Sequence, residues 1–287
     1  MPPPDRRLTP ARPDLAAAHL RGKVEADDFV EGRRVTIRAG LADLRPEPAN
    51  DVSIDTQALY GETAMLYEDS EGFGWLQLER DGYVGYVSMV AVGEFDAPPT
   101  HRVKVNRSFI YPAPNMKLPV IDALPLGGRV SAGETSGAFV ALQGGGFMFA
   151  DHLSPLNEPD RDFVTVAERL LHAPYLWGGK SSLGVDCSGL VQIALDAAGV
   201  KSPRDTDLQE KALGVPLAIS DDLKGLARGD LVFWRGHVGV MRDAQTLLHA
   251  NAHHMQVASE PLAEARARIA AGTGAAITSI RRLAPAG

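Results

Sequence analysis

The 287-residue sequence has one cysteine, no long hydrophobic run and no basic cluster. A single thiol, Cys187, excludes an internal disulfide, and a chain of this length can bury enough apolar surface to fold without one. No stretch approaches the roughly 18 apolar residues of a membrane-spanning helix, so no membrane anchor is expected. Basic residues never run beyond a pair such as Arg33-Arg34, and the net charge is −7. This composition argues against a nucleic-acid partner.

Aromatic residues are also scarce, at 6%, whereas the chain has 29 glycines and 20 prolines. That mixture is typical of a loop-rich chain built from short strands. Residues 1–28 are rich in Pro, Arg and Ala and predict an N-terminal arm with a short helix around Leu15 to Leu20. This apolar run is too short and too broken for the core of a signal peptide. We therefore expect a cytoplasmic protein, although a chain that had lost an export signal would look the same.

An internal repeat follows the arm. The run Arg33-Arg-Val-Thr-Ile is echoed by His101-Arg-Val-Lys-Val, 68 residues later, and Ala58-Leu-Tyr-Gly-Glu by Ala123-Leu-Pro-Leu-Gly-Gly, 65 residues later. Short β-like runs separated by Gly, Asp or Pro are typical of small antiparallel barrels. The repeat predicts two tandem β-modules, at residues 29–95 and 96–156.

The remaining residues, 157–287, read as an α+β domain. Apolar spacing predicts a helix from Phe163 that stops before Pro174, and a second helix that begins near Cys187 and ends at Gly199. Three strand-like runs follow, namely Leu231-Val-Phe-Trp, Val238-Gly-Val-Met and Thr246-Leu-Leu-His-Ala. The fold class is therefore α+β, with two small barrels ahead of a mixed domain.

Cys187 is the candidate nucleophile because it lies in the first turn of the second predicted helix. A helix N-terminus carries a partial positive charge, which favours a thiolate and can hold a developing oxyanion. The thiol also needs a base that is near in space but not in sequence. If residues 238–250 form a hairpin centred on Asp243, positions that sum to 486 face each other, and His237 and His249 satisfy that sum.

Less specific readings remain for these residues. A lone cysteine is often a small core residue, and most of the eight histidines are expected to be solvated. His249, His253 and His254 could also be taken for metal ligands, but their spacing matches no standard zinc pattern. We therefore expect no metal and no cofactor.

Four blocks occur in one order along the last domain. They are Tyr175-Leu-Trp-Gly-Gly, Asp186-Cys-Ser-Gly-Leu-Val, Gly229-Asp-Leu-Val-Phe-Trp with Gly236-His-Val-Gly-Val, and Leu248-His-Ala. This pattern resembles the NlpC/P60 family of papain-like cysteine peptidases, and the upstream repeat resembles the bacterial SH3-like barrels that often precede that domain. The two-barrel layout is similar to γ-D-glutamyl-L-diamino acid endopeptidases of the dipeptidyl-peptidase VI type.

The resemblance assigns roles to individual residues. Cys187 matches the nucleophile, His237 the general base and acid, His249 the residue that orients His237, and Tyr175 a tyrosine near the oxyanion site.

The resemblance also implies a pocket for the free amine and backbone of an N-terminal L-Ala. The residues that match substrate-binding positions are Glu62, Tyr83, Asp186, Ser188, Asp205 and Thr206. In the second repeat, Gly128 and Gly146 align with Glu62 and Tyr83, so only the first copy keeps the polar groups.

The expected function is hydrolysis of the γ-D-Glu–diamino acid bond in murein peptides with a free L-Ala, as in cell-wall peptide recycling. Three alternatives stay open: an exported hydrolase of intact wall stems, a non-catalytic wall-binding protein, and an acyltransferase or amidase of similar fold. The preferred diamino acid, the oligomeric state and the role of residues 1–28 are not determined by the sequence.

Overall fold

A computed structural model describes residues 4–218 and 222–283. The chain divides into two compact units, one ending at Asn157 and one beginning at Glu158. Parts of two predicted segments lie outside the described residues, namely positions 1–3 of the arm and positions 219–221 and 284–287 of the catalytic domain. Among the described residues, no helix is both long enough and apolar enough to cross a bilayer.

The N-terminal segment packs against the first module. The short helix predicted around Leu15 to Leu20 is formed only in its second half: the chain has strand β1 (Leu15–Ala17), a 3-10 helix (Ala18–Leu20) and strand β2 (Asp28–Val30), and β1 pairs with β2 in parallel. The Arg12 guanidinium lies 4.4 Å from the centroid of the Trp75 ring and donates to Glu68 over 2.6 Å. This stacking and ion pairing tie the arm to the first unit.

The first β-module encloses a core of alternate apolar residues from its strands, among them Val35, Leu44 and Leu76, each wholly buried. A five-stranded sheet has the order β8-β7-β6-β3-β9, and β4 pairs with β5 separately. The strands are β3 (Arg33–Ile37), β4 (Leu41–Leu44), β5 (Thr56–Leu59), β6 (Thr63–Ser70), β7 (Phe73–Leu78), β8 (Val84–Ser88) and β9 (Val92–Glu94), with a 3-10 helix at Met89–Ala91.

The second β-module has its own core, which includes Val103, Leu124 and Met148. Its sheets are β13-β10-β17, β11-β12 and β14-β15-β16. The strands are β10 (His101–Val103), β11 (Arg107–Ile110), β12 (Asp122–Pro125), β13 (Arg129–Val130), β14 (Ala132–Ser136), β15 (Phe139–Leu142), β16 (Phe147–Phe149) and β17 (Leu153–Pro155), with a 3-10 helix at Ala150–His152. Within residues 4–157 no sheet closes on itself, so each of the two expected small barrels is built from partial sheets around its own core.

The sequence repeat corresponds to repeated backbone hydrogen bonds. The Ile37 amide donates to the Glu62 carbonyl over 2.9 Å, and the Val103 amide donates to the Gly128 carbonyl over 2.8 Å. The Leu78 amide donates to Tyr83 in the first module, and the Leu142 amide donates to Gly146 in the second, both over 2.9 Å. The alignment of Glu62 with Gly128 and of Tyr83 with Gly146 therefore holds in three dimensions.

The second unit places helices beside one antiparallel sheet of order β20-β25-β21-β22-β23-β24. Strand β21 is buried throughout, and the core beneath the sheet includes Val232, Met241 and Ile280. The helices are α1 (Phe163–Glu168), α2 (Cys187–Ala197), α3 (Thr206–Ala212) and α4 (Leu262–Thr273). The strands are β18 (Lys180–Ser181), β19 (Gly184–Val185), β20 (Val215–Leu217), β21 (Leu231–Trp234), β22 (His237–Met241), β23 (Thr246–Asn251), β24 (Gln256–Pro261) and β25 (Ile277–Arg282).

Candidate active site

Cys187 is the first residue of α2, and the residue before it caps the helix. Asp186 has an extended backbone, and its Oδ1 accepts a hydrogen bond of 2.7 Å from the Gly189 amide. An aspartate in this position satisfies an amide that has no partner inside the helix. The cap therefore fixes the backbone that carries the thiol. Cys187 itself is buried, with 7% of its surface exposed.

Asp186 also forms a buried ion pair. Arg204, which is 1% exposed, donates to both carboxylate oxygens of Asp186 over 3.0 and 2.7 Å and to the Ser188 hydroxyl over 2.8 Å. The Gly178 amide adds another donor to Asp186, at 2.9 Å. Asp186 and Ser188, two of the predicted substrate-binding residues, are thus already engaged in holding the start of α2.

The surroundings of the thiol favour its protonated form. Burial and the Asp186 carboxylate raise the pKa of Cys187 to about 11, against the opposing effects of the Thr206 hydroxyl, the Val238 amide and Arg204. The Thr206 oxygen lies 3.8 Å from the sulfur. A resting thiolate, expected from the helix N-terminus, is therefore not what the site holds, because desolvation of the anion outweighs the favourable partial charge.

The two candidate histidines meet, but through a different register from the predicted one. Strands β22 and β23 pair with Val240 opposite Leu248, a sum of 488, so the predicted sum of 486 is wrong. This register places His249 opposite Gly239 and diagonal to His237. A Cβ on Gly239 would lie 3.1 Å from the His249 Cβ, so the glycine leaves room for this diagonal approach.

A chain of side-chain hydrogen bonds begins at His237. Its Nε2 lies 2.8 Å from His249 Nδ1, and His249 Nε2 lies 2.7 Å from Glu260 Oε1. Arg268 donates to the two oxygens of Glu260 over 2.5 and 2.6 Å. His249 is completely buried, and β23, β24 and α4 supply the last three members of the chain.

The histidines are neutral in this environment. Burial is the main cause that lowers the pKa of His237 to about 3, and the electrostatic effects of His249 and Arg268 act in the same direction. Burial also lowers the pKa of His249, although Glu260 opposes it. The resting site thus holds a thiol and a neutral imidazole, and charge separation belongs to the reaction itself.

Tyr175 is in electrostatic range of the thiol. Burial, Cys187 and Asp186 raise the pKa of the Tyr175 phenol, so that it stays protonated and able to donate a hydrogen bond. Its amide donates to the Met255 carbonyl over 2.9 Å, which holds the loop after Pro174 against the turn before β24.

The other predicted substrate-binding residues lie in two places. Asp205 is the N-cap residue of α3 and is half-buried, without a side-chain capping bond. Glu62 and Tyr83 belong to the first unit, where both are buried. Glu62 forms an ion pair with Arg80, and Tyr83 packs in the core of the first module. Glu62 is therefore not a solvated loop residue.

By resemblance, the segment Arg204-Asp205-Thr206 was expected to line the substrate pocket, but the ion pair of Arg204 with Asp186 was not expected. No role was predicted for Glu260 or Arg268. Arg204 directly precedes Asp205 and Thr206 in the sequence. This position next to two predicted substrate-binding residues was the signal that Arg204 belongs to the site. Glu260 and Arg268 are separated by eight residues across the end of β24 and the middle of α4, which leaves no local pattern to detect. Among residues 4–218 and 222–283, no group of three or more His, Cys, Asp or Glu side chains is arranged to hold a metal ion.

A buried thiol at a helix N-terminus, beside a strand whose first histidine is hydrogen-bonded to a second histidine on the next strand, is the arrangement of a cysteine-type peptidase. The comparisons confirm the predicted families: residues 172–268 match the NlpC/P60 family, and residues 44–92 match the bacterial dipeptidyl-peptidase SH3 domain. The chain thus contains an NlpC/P60 domain preceded by an SH3 domain.

Two named bacterial proteins are among those similar to this chain. The gamma-D-glutamyl-L-lysine dipeptidyl-peptidase of Bacillus subtilis (strain 168) is 29% identical over 260 residues, covering 80% of this chain and 81% of that protein. Dipeptidyl-peptidase 6 of Lysinibacillus sphaericus is 34% identical over 102 residues, covering 36% of each chain.

Solved structures share the fold. An NlpC/P60 family protein from Bacillus cereus ATCC 10987 superposes with a TM-score of 0.70 at 18% identity, covering 88% of this chain and all of that one. An NlpC/P60 endopeptidase from Photobacterium damselae subsp. piscicida superposes with a TM-score of 0.60 at 14% identity, covering 87% of this chain and 71% of that one.

Proposed function

We propose that this protein is a cysteine endopeptidase that hydrolyses the γ-D-Glu–diamino acid bond of cell-wall peptides with a free N-terminal L-Ala. The observation that carries the chemistry is the placement of Cys187 at the capped start of α2, beside the strand that begins with His237. The named activity of the Bacillus subtilis relative supports the choice of bond.

The proposed reaction begins with the thiol proton moving to His237 as the Cys187 sulfur attacks the γ-carbonyl of D-Glu. The partial positive charge at the N-terminus of α2 stabilises the oxyanion of the tetrahedral intermediate, and the protonated Tyr175 is placed to help. His237 then gives its proton to the departing amine of the diamino acid. Water, deprotonated by His237, hydrolyses the thioester and restores the thiol.

Recognition of the free amine is assigned to Glu62 and Tyr83, with Asp186, Ser188, Asp205 and Thr206 around the scissile end. The support is the asymmetry of the repeat, because the second module has Gly128 and Gly146 where the first has these polar groups. Because Glu62 is buried and paired with Arg80, the assignment requires its carboxylate to exchange that partner for the ammonium of the substrate, which would select peptides with a free N-terminus.

The proposal extends to the layout of the chain, with residues 96–156 as a second SH3-like module. The separate core of this region and its repetition of the hydrogen bonds of the first module support it. A role in recycling of murein peptides and a cytoplasmic location are part of the same proposal, and cell fractionation with an antibody to the full chain would test the location.

The deciding experiment is mass spectrometry of L-Ala-γ-D-Glu-diaminopimelate and its N-acetylated form after incubation with the protein. The matched control is Cys187→Ala, which should lose at least about 10³-fold in turnover because it removes the nucleophile. Cleavage of the free peptide alone supports the proposal together with the amine pocket. The lysine-containing peptide, run in parallel, shows which diamino acid is preferred.

Other outcomes contradict parts of the proposal. Cleavage of both peptides keeps Cys187 as nucleophile but removes the amine pocket and favours a hydrolase of intact wall stems. Cleavage of neither peptide overturns the proposed substrate and favours a transferase or a binding protein. Equal activity of Cys187→Ala and the unmodified protein would overturn the assignment of the nucleophile.

A further inference from the structure

A chain of hydrogen bonds runs from His237 to Arg268. The donor and the acceptor in each of these bonds can be deduced by considering the whole chain together. His249 is completely buried, and both of its ring nitrogens have partners, His237 at 2.8 Å and Glu260 at 2.7 Å. Each such bond needs one donor and one acceptor, and a neutral imidazole has only one of each. The protonation of one end of the chain therefore determines the protonation of the other.

The Glu260 end can only accept. Arg268, which cannot lose its proton, donates to both oxygens of the Glu260 carboxylate. Burial alone would raise the pKa of Glu260, but the hydrogen bonds from Arg268 and His249 outweigh it and lower the pKa to about 2. Glu260 is thus ionised at neutral pH and offers no hydrogen to His249.

The tautomers of both histidines follow from this. His249 must carry its hydrogen on Nε2, where it donates to Glu260, so its Nδ1 is a bare acceptor. His237 must then carry its hydrogen on Nε2, where it donates to His249. The remaining ring nitrogen of His237, Nδ1, is left with a free lone pair. That is the form of imidazole that can take a proton from a thiol.

We infer that Glu260, held by Arg268, is a positioning residue that sets the tautomers of His249 and His237 and thereby leaves Nδ1 of His237 as the base for Cys187. The inference rests on the proposed cysteine peptidase function. It adds Glu260 and Arg268 to the three residues Cys187, His237 and His249. Glu260 is bonded to His249 and Arg268, and it acts on His237 through His249, in the way that an outer partner of a metal-ligating histidine fixes the orientation of its ring.

Charge alone does not explain the pair. Glu260 favours the imidazolium form of His237 and Arg268 opposes it, so the two charges act on His237 in opposite directions. Two more ionisable groups face this cluster: His254, with its Nδ1 3.9 Å from Glu260 Oε1, and Glu264, which acts on Arg268 from the first turn of α4. The Glu260–Arg268 pair supplies a permanent hydrogen-bond acceptor, the Glu260 carboxylate, at a fixed place beside His249.

The Glu260→Gln variant breaks this arrangement at almost constant shape. Its side chain has one acceptor oxygen and one NH₂ group, and Arg268 and His249 together present donors to both positions. The NH₂ group must therefore either face the N–H groups of Arg268, donor against donor, or face His249. In the second case His249 must adopt the opposite tautomer. Glu260→Asp keeps the permanent acceptor and should rescue part of the function, and Glu264→Gln is the matched control on an exposed carboxylate of α4, the helix that carries Arg268.

The first measurement is the ¹⁵N NMR spectrum of the histidine side chains in the full chain, with assignments from His237→Asn and His249→Asn. We expect both residues as Nε2–H tautomers in the unmodified protein and in Glu264→Gln. In Glu260→Gln, the His249 signals should move to the Nδ1–H or mixed pattern. An Nδ1–H form of either histidine in the unmodified protein, or unchanged tautomers in Glu260→Gln, would overturn the inference.

The second measurement is the rate of alkylation of Cys187 by iodoacetamide against pH, which is clean because the chain has only one cysteine. Glu260→Gln should slow alkylation near pH 7.5 by about 10–100-fold, with Glu260→Asp between it and the unmodified protein. Equal rates for Gln and unmodified protein contradict the inference. Since neither readout uses a peptide, a wrong murein substrate would leave both results intact, which separates the two proposals.

Steady-state kinetics on a cleaved peptide complete the test. Loss of the correct tautomer should lower kcat and leave KM within about twofold, because the tautomer acts on proton transfer in the transition state rather than on binding of the substrate. A melting curve for each variant shows whether the second unit still folds. Equal losses for Gln and Asp, with normal tautomers in both, would assign Glu260 a purely structural role.

Discussion

The site has a thiol side, around Cys187, and an imidazole side, around His237 and His249. Each side contains a carboxylate that accepts two hydrogen bonds from an arginine, but the two carboxylate–arginine pairs have different functions. Asp186 accepts from Arg204 and from backbone amides at Gly178 and Gly189. Glu260 accepts from Arg268 and from the ring of His249. The Asp186–Arg204 pair fixes the backbone at the start of α2, whereas the Glu260–Arg268 pair determines which ring nitrogen of His249 carries the proton.

The difference follows from the partners. Backbone amides always carry their hydrogens, so a carboxylate beside them can only position the chain. A histidine has two tautomers, so the same carboxylate beside it selects one of them. Arg204 is 1% exposed, whereas the Arg268 side chain is 27% exposed, which makes the thiol side the more costly of the two to disrupt.

The largest expected effect comes from breaking the thiol-side pair. Asp186→Ala removes the cap of α2 and leaves the buried Arg204 charge without its carboxylate, which should cost about 3–5 kcal/mol in the free energy of unfolding of the second unit. Urea denaturation followed by tryptophan fluorescence measures the loss. Asp162→Ala, which removes the cap of α1 at a more exposed site, is the control at about 1 kcal/mol. Equal losses in the two variants would contradict the comparison.

The two sides should also respond to pH in opposite directions. The pKa of His237 is lowered from 6.5 to about 3, so between these values the unfolded state binds a proton that the folded state does not, and stability falls as the solution becomes more acidic. The pKa of Cys187 is raised from 9.0 to about 11, so the unfolded state loses a proton first and stability falls as pH rises through that range.

Each effect amounts to at most about 1.4 kcal/mol per pH unit for one group. Melting temperatures across pH 4–10.5 measure it, with His237→Asn expected to flatten the acidic limb and Cys187→Ala the alkaline limb. If His237→Asn instead flattened the alkaline limb, the assignment of the two limbs would be wrong.

A smaller effect is expected where the two histidine strands approach. Gly239→Ala would place a Cβ 2.7 Å from Leu247 Cδ1 and 3.1 Å from His249 Cβ, which should cost about 1–3 kcal/mol and displace the His249 ring. Turnover should fall with the stability, because the bond to His237 lengthens. Gly272→Ala, in α4 with open space around it, is the control and should be neutral or slightly stabilising. A fully active Gly239→Ala protein would show that the close approach is dispensable.

The smallest effect should come from the Thr206 hydroxyl, whose hydrogen bond to Cys187 is long, at 3.8 Å. Thr206→Val removes a group that lowers the thiol pKa, so the alkylation profile of Cys187 should move to higher pH, with a rate change below about tenfold. Thr206→Ser keeps the hydroxyl and should behave as the unmodified protein. A shift to lower pH would contradict the role given to Thr206.

Much of the second unit could be predicted because its signals are local. Apolar spacing predicted α2 with Cys187 at its start, and the runs from Leu231 and Thr246 form strands as expected. The register between β22 and β23 was missed because it depends on the turn. Asp243 accepts from the amides of Gln245 and Thr246, which places the centre of the turn one residue later than predicted.

The N-terminal arm shows the opposite case. The run Leu15 to Leu20 looks helical by itself, but its first residues pair with β2, and Ala16 and Ala17 become fully buried. A six-residue segment has too little intrinsic helix stability to resist such packing. Tertiary contacts therefore overrode local propensity.

By itself the sequence determined the class of chemistry, because a nucleophile at a helix start, the family blocks in order and a repeated β-pattern are all short-range features. The tertiary structure alone decided the protonation of the site. The pKa values of Cys187 and His237 depend on which elements cover them, and the relay from His249 to Glu260 and Arg268 joins residues of two strands and a helix that share no local pattern. Electrostatic free energies depend on distance and solvent exclusion, and both are set only once the chain has folded.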